Sequence, residues 1–417
     1  MSDACPPLPP RFEYRLDLAG HVTPKLLKNE PIHRWFYFQH SFSPQLVDLL
    51  FDRWQVTRGS VVVDPFVGAG TTLVCAKQRG VESVGVDVSP LAVLASNAKI
   101  ATYDVTSLVD ALSRVARFVR SNGTVDLSRP QRLQRAFTDA EFDVLFRLRR
   151  AILRQKMPER DLLLLALLRT QREISRAVPD GGWFRWRERR SSETTIWPRF
   201  KRWVEQWLRD LSARPPAAVH CRACTGDARR LGDVLAGASG RRQRCRAIVT
   251  SPPYPNRHDY SRIFQIELLT LGVTEGEIRH LRQTSLRSHV EARPPARSPQ
   301  PRAHAAPWAD LLASIPVDGV DSRVKSMLEG YFEDMHAVLR SCWDALTPGG
   351  KMALVVGNVR HGGVMIPVDE LLTSLAQNLG FSFEAGWVAR LRGNSAQQMG
   401  RFGRRPARES VLLFEKV

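Results

Sequence analysis

The sequence predicts an α/β fold: a mostly parallel sheet with helices on both faces, interrupted by a helical insertion and by a second, loop-rich insertion. Three observations carry this expectation. Short β-branched runs end in an acid and a glycine turn, as from Ser60 to Gly70, and such runs read as strands buried on both faces. Segments of helical period alternate with them, which is the pattern of βαβ units. The alternation stops between residues 105 and 213 and again between 275 and 325, where arginine, tryptophan and proline dominate.

Taken in order, residues 1–30 read as an irregular arm. Residues 31–104 form the first part of the core. They carry the aromatic cluster from His33 to Phe38, and a helix that starts where Ser43-Pro44 precedes an apolar period near 3.6. A strand over 60–65, a helix over 71–79, a strand over 83–87 and a helix from Pro90 complete a βαβα unit. Residues 105–213 read as an inserted helical subdomain in which Trp183, Trp186, Trp197, Trp203 and Trp207 fall within 25 residues. The α/β pattern resumes in 214–274, with strands at Ala218-Val219-His220 and Arg246–Thr250. Residues 275–325 form the second insertion, and Glu291–Ala306 within it is a proline- and arginine-rich loop. Residues 326–417 close the core with a helix to Leu346, a strand over 351–357, a helix near 368–379 and strands over 381–391 and 409–416. There are no internal repeats.

A hydrophobic content of 43% in 417 residues supplies a sizeable core and excludes global disorder. The formal charge of +19, mostly from arginine, suits a polyanionic partner, because each neutralised phosphate releases counterions. The six cysteines, Cys5, Cys75, Cys221, Cys224, Cys245 and Cys342, are scattered and form no disulfide framework. Cys221 and Cys224 make one CxxC with no second pair at zinc-site spacing, so no metal is expected. Residues 1–15 lack the apolar segment of a signal peptide, and the longest apolar run, Leu162–Leu168, is too short for a bilayer. A cytoplasmic protein without a membrane partner is expected.

The turn after the first core strand reads Asp64-Pro65-Phe66-Val67-Gly68-Ala69-Gly70-Thr71. Glycines let the backbone approach a ligand, and the following helix offers free N–H groups. A phosphate-binding P-loop needs a GK[ST] ending that is absent, and a dinucleotide turn needs a third glycine where Leu73 stands. An S-adenosylmethionine site remains. That ligand carries an ammonium and a sulfonium, so an acid at the strand end suits it. Asp87, 17 residues after Gly70, can accept both ribose hydroxyls. Asp227, after the next strand, could accept from the adenine amino group. Each acid alone is more often a helix cap or a solvated turn; their recurrence at three successive strand ends favours the binding role.

The second corner is Thr250-Ser251-Pro252-Pro253-Tyr254. Alone, paired prolines read as a strand terminator. After an apolar strand, and with both flanking residues, the string suggests chemistry on an exocyclic amine, whose lone pair is delocalised into its ring. Ser251 Oγ and the Pro252 carbonyl can accept its two N–H groups and make the nitrogen nucleophilic. Pro252 and Pro253 donate no competing N–H, and Tyr254 offers an aromatic face to an extruded base. A C5-cytosine enzyme would need a Pro-Cys nucleophile, and no cysteine here follows a proline.

Together the two strings resemble the DNA amino-methyltransferases, which make N4-methylcytosine and N6-methyladenine from S-adenosylmethionine on a Rossmann-like sheet. In that family a serine at the first catalytic position goes mostly with cytosine N4, so the resemblance implies a site-specific enzyme for that atom, acting on double-stranded DNA, with a cognate restriction endonuclease as a further partner. The alternatives are N6-adenine methylation, an RNA base amino-methyltransferase, or an inactive DNA-binding homologue. Residues 33–47 resemble the motif that closes over the cofactor's methionine end. Here the cofactor motif precedes the catalytic one, whereas many serine-type members run the other way as circular permutations, so the place of target recognition stays open. Two basic stretches are candidates: Arg147, Arg149, Arg150, Arg154, Lys156 and Arg160, and Arg282, Arg287, Arg293, Arg297 and Arg302, each also readable as a solvated face. Arg257, His258, Asp259 and Tyr260 are candidates for the base pocket, and the stretch from Gly400 to Arg405 for a backbone contact.

Overall fold

A computed structural model of the chain describes residues 7–120, 129–181, 183–188, 192–213, 217–236, 243–294, 308–316, 321–393 and 396–417. Its strands are β1 (Phe12–Tyr14), β2 (Val61–Asp64), β3 (Glu82–Asp87), β4 (Ala177–Asp180), β5 (Trp183–Trp186), β6 (Cys221–Thr225), β7 (Cys245–Thr250), β8 (Leu346–Gly357), β9 (Val359–His361), β10 (Val364–Ile366), β11 (Phe381–Arg392) and β12 (Ala407–Lys416). Eight of them form one sheet in the order β1-β11-β12-β8-β7-β2-β3-β6. β6, β3, β2, β7 and β8 run parallel, and β12 is antiparallel to both of its neighbours. β4–β5 and β9–β10 are separate two-stranded ribbons.

The helices are α1 (Pro44–Arg53), α2 (Thr71–Gln78), α3 (Pro90–Ile100), α4 (Val105–Arg120), α5 (Gln131–Ala136), α6 (Asp139–Leu153), α7 (Glu159–Ile174), α8 (Ile196–Ala213), α9 (Leu231–Leu235), α10 (Tyr260–Ile263), α11 (Gln265–Leu271), α12 (Glu275–Thr284), α13 (Ala309–Ala313), α14 (Arg323–Ala345), α15 (Val368–Asn378) and α16 (Ala396–Phe402). None of the described helices is long and apolar enough to cross a membrane.

Why the strands are apolar on both sides is visible in their alternation. Val62, Ala247, Val249, Ala353 and Val355 pack with α1 and α2 on one face. Val63, Ile248, Met352, Leu354 and Val356 pack with α14 and α15 on the other. A further core unites α3 with the helices of 105–213 and with α11. A sheet covered on both faces cannot show the polar–apolar alternation of a half-exposed strand, and these strands therefore read as continuous apolar runs.

The connections position the site. From β2 the chain crosses to β3 and then to β6; it returns to β7 on the other side of β2 and proceeds to β8. The direction of winding reverses between β2 and β7. Open parallel sheets bind ligands in the crevice beyond the carboxyl ends of the strands at such a reversal, and those ends are Asp64 and Thr250.

Three local features differ from the sequence expectation. The N-terminal arm contributes β1, paired in parallel with β11 from Phe12↔Gly386 to Tyr14↔Val388; three residues are too few to carry a period. The strand expected at 218–220 begins at Cys221, with His220 only accepting from the Ser83 amide. The helical segment 105–213 contains the β4–β5 hairpin, which presents Trp183 at 37% exposure, whereas Trp207 on α8 is fully buried and stacks on Trp35 at 4.9 Å. Cys5, Arg297, Arg302 and most of the Glu291–Ala306 loop lie outside the described residues.

Candidate active site

β2 ends at Asp64, and the next residues turn sharply into α2. Gly68 and Gly70 both adopt left-handed backbone angles, φ 49° and 81°, which cost a side-chain-bearing residue energy. At Gly70 there is also no room: a Cβ would stand 2.9 Å from Ser96 Oγ and 3.0 Å from Ser96 Cα. α3 therefore packs directly on the turn, and Ser96 donates to the Gly68 carbonyl at 3.1 Å.

The two motifs are bonded to each other. Thr250 Oγ1 donates to Asp64 Oδ1 at 2.6 Å, where the Phe66 amide also donates at 3.1 Å. Thr72 Oγ1, on α2, donates to the Val249 carbonyl at 3.2 Å. The glycine turn and the double-proline corner thus form adjoining walls. One cavity between them is lined by Asp64, Pro65, Phe66, Gly68, Thr71, Asp87, Asp227, Ser251 and Pro253. Gly70, Pro252 and Tyr254 are not on its surface.

The acids differ in their surroundings. Burial pushes Asp64 and Asp87 each up to about 6. Asp87 accepts from the Gly68 amide at 3.0 Å and the Ser89 amide at 2.9 Å. Among the described residues no lysine or arginine pairs with either acid, so two desolvated carboxylates face a cavity with only neutral donors around them. That is a site for a cationic ligand. Asp227 is different: it caps the turn at Ala228–Arg230, and both of its oxygens are held by the Arg229 guanidinium at 2.7–3.0 Å.

At the second corner, Ser251 Oγ donates to the Val355 carbonyl at 3.0 Å. Its proton is committed there, and the oxygen keeps lone pairs for another donor. Among the described residues nothing donates to the Pro252 carbonyl. The Tyr254 ring is buried with Arg392 stacked over it at 5.3 Å, and its hydroxyl donates to Glu409 at 3.2 Å. It buttresses the corner from behind rather than facing the cavity.

The aromatic walls come from elsewhere. Phe38 and Phe264 meet at 4.5 Å, and His40 lies 4.9 Å from His258 and 5.9 Å from Tyr260; all five line the cavity. Burial pushes His40 down to about 4, so it is neutral at pH 7. Of the four residues from Arg257 to Tyr260, the last three line the cavity. Ser285, Leu286, Ser288 and His289 do so as well, and no sequence signal marked them, since they arrive from the second insertion by tertiary packing.

Two buried polar links anchor the 33–47 segment, one to this site and one to α8. Lys99 Nζ donates to the Ala69 carbonyl at 2.8 Å and to the Phe36 carbonyl, joining the glycine turn to the aromatic cluster; among the described residues no carboxylate pairs with it, and burial pushes it down to about 7. Asp210, on α8, accepts from Trp35 Nε1 at 2.9 Å and from the Arg34 guanidinium. Asp210→Ala should therefore lower unfolding free energy by about 3 kcal/mol in urea denaturation, because it strands a buried indole N–H and a half-buried cation; a loss below about 0.5 kcal/mol would show that this link contributes nothing.

No family model matches the chain. The chain is 27% identical to the type II methyltransferase M.BsoBI of Geobacillus stearothermophilus, over 93% of this chain and 86% of that one. It is 28% identical to the type II methyltransferase M.AvaI of a Nostoc species, over 97% and 92% respectively. A shorter match, 31% identical over 27% of this chain and 22% of the relative, is to M.MjaII of Methanocaldococcus jannaschii. Among solved structures, the rRNA methyltransferase aviRa of Streptomyces viridochromogenes covers 90% of this chain and 85% of its own at 14% identity, but with a TM-score of 0.31, too weak to carry an argument. The strand order, the cavity between the two motifs and the relatives aligned over nearly the whole length agree: this Rossmann-like chain is similar to type II DNA methyltransferases, with S-adenosylmethionine as the methyl donor that they imply.

Proposed function

We propose that the protein methylates the exocyclic N4 amino group of a cytosine everted from double-stranded DNA at a specific sequence. The observation that supports this most is the single cavity shared by the glycine turn and the Ser251 corner. The bound donor supplies an electrophilic methyl on a sulfonium. Around it, Asp87 holds the ribose hydroxyls and Asp64 faces the cationic end. Pro65, Phe66, Gly68, Gly70 and Thr71 shape the turn, and Asp227 meets the adenine end through whatever acceptor capacity Arg229 leaves it. Ser251 Oγ, on the cavity surface, accepts one of the amine's N–H groups, and the Pro252 carbonyl, set back from that surface and without a donor among the described residues, is the acceptor assigned to the second; together they draw the lone pair out of conjugation. Pro253 keeps that backbone extended. Tyr260 and Phe264 are better placed than Tyr254 to contact the base, because they line the cavity and Tyr254 does not. Positioning and exclusion of water do the work, with no covalent enzyme intermediate.

Serine at position 251 supports cytosine over adenine, and the type II relatives support a paired restriction endonuclease with the same target sequence. Incubation with isotope-labelled donor and mixed DNA and RNA, followed by mass spectrometry of the nucleosides, is expected to give N4-methylcytosine from DNA. N6-methyladenine would move the target to the alternative base; label confined to RNA, or no transfer, would overturn the reading.

A further inference from the structure

A second cleft lies beside the active-site cavity. It is lined by Arg132 and Arg135 of α5, Trp186 of the β4–β5 hairpin, and Glu275, Arg279 and Arg282 of α12. α12 packs on α10 and α11, immediately after the catalytic corner, and its Leu281 lines the active-site cavity. One helix therefore separates the two openings. A third depression continues on the far side of α12, sharing Arg279 and Arg282 and adding Arg293 and Arg323.

The charges in this tract are unbalanced. Arg282 is met by Asp259 at 2.6 Å, and Arg323 by Asp321 at 2.9 Å. Among the described residues Arg132, Arg135, Arg279 and Arg293 have no carboxylate partner. Arg135 instead lies over Trp186 at 4.2 Å, and Arg132 over Trp183 at 5.5 Å. Stacking on indole holds a guanidinium in place and leaves its N–H groups free. The exposed Trp183 is also 5.2 Å from Arg262, whose neighbours Tyr260 and Ser261 line the active-site cavity. The basic stretch on α6 is less suited: Arg149 donates to the Leu271 carbonyl and Arg154 covers Phe118, so both are used in packing. Arg287 is likewise held by Glu333 and Asp334.

We infer that the arginine cleft formed by α5, the β4–β5 hairpin and α12 holds the phosphodiester backbone of duplex DNA next to the everted base, with Arg132, Arg135, Arg279 and Arg293 as its phosphate contacts. This rests on the reading of the protein as a DNA methyltransferase. Two fixed arginines on one wall and an unpaired arginine on the other fit successive phosphates, and a line of cations without bound carboxylates gives affinity through counterion release.

The test is fluorescence anisotropy of the full-length protein with a labelled duplex across a salt series, comparing the wild type with R135A/R279A. Both side chains are exposed, so the fold should survive. The variant is expected to bind about tenfold or more weakly, with the slope of log K against log salt reduced by about 2, one for each lost phosphate contact. S-adenosylmethionine affinity, read by calorimetry, should not change. Equal affinity and an unchanged slope would overturn the inference, as would preferential binding of single-stranded RNA that the variant retains. Labelled methyl transfer to DNA by the wild type is scored separately. Its absence would count against the enzymatic reading, whereas an intact salt slope in the variant counts only against this cleft.

Discussion

Replacing Ser251 with alanine should slow methyl transfer about a hundredfold or more at saturating substrates, while S-adenosylmethionine affinity stays within about twofold of wild type. The asymmetry follows from where the hydroxyl sits. Ser251 lines the cavity on the β7 side, its proton is given to the Val355 carbonyl, and its lone pairs are left for a donor that arrives with the second substrate. An acceptor that matters most as the attacking amine gains positive charge acts on the reaction barrier, so its loss falls on kcat more than on ground-state binding. Asp64 and Asp87, the acids proposed to bind the donor, lie on β2 and β3, and among the described residues neither hydrogen-bonds this hydroxyl, which is given to Val355. Stopped-flow or single-turnover transfer, paired with calorimetric titration of the donor, separates the two effects. A variant that lost donor affinity and kept its single-turnover rate would place Ser251 on the donor side and undo the proposed division of roles.

Much of this arrangement is readable in the sequence, because backbone constraints leave marks. Gly68 and Gly70 are glycine for conformational and packing reasons, Pro252 and Pro253 end a strand, and the β-branched runs at 61–64 and 245–250 announce strands buried on both faces. What stays hidden depends on distant partners. Tyr254 looks like a stacking platform in the string, but Glu409, 155 positions away, takes its hydroxyl, and Arg392 covers its ring. Asp227 reads as a free acid until Arg229 folds back on it. The insertions resemble nothing by string, yet Ser285 and His289 reach the cavity, and the hairpin that carries Trp183 is too short to show a period against the helices around it. Burial pattern alone cannot tell a tryptophan in a core from one on a surface, and here Trp207 and Trp183 do the two different things.

Asp87→Ala should weaken S-adenosylmethionine binding about a hundredfold, with kcat at saturating donor much less affected. An ionised carboxylate that accepts both ribose hydroxyls contributes through two charge-assisted hydrogen bonds, and the substitution removes both. It also strands the Gly68 and Ser89 amides, so Asp87→Asn, which keeps the shape and one acceptor oxygen, is the cleaner variant. The pH dependence gives an independent check. Asp87 and Asp64 are each pushed up to about 6 by burial, from an ordinary value of 3.8. Binding of a ligand with net positive charge favours their ionised forms, so donor affinity should fall as pH drops from 7 through 6 to 5. In Asp87→Asn the profile should flatten but keep a residual slope from Asp64. Without ligand the sign reverses. Because the folded-state values lie above 3.8, the unfolded chain gives up these protons first as pH rises, so the two acids lower stability progressively between pH of about 4 and 6 and hold it at the reduced level above that. The two measurements must therefore move in opposite directions over the same interval: donor binding strengthens where ligand-free stability declines. Donor affinity independent of pH from 5 to 7, together with wild-type affinity in Asp87→Ala, would remove Asp87 from the donor site and leave its carboxylate only the local task of bracing the turn through the Gly68 and Ser89 amides.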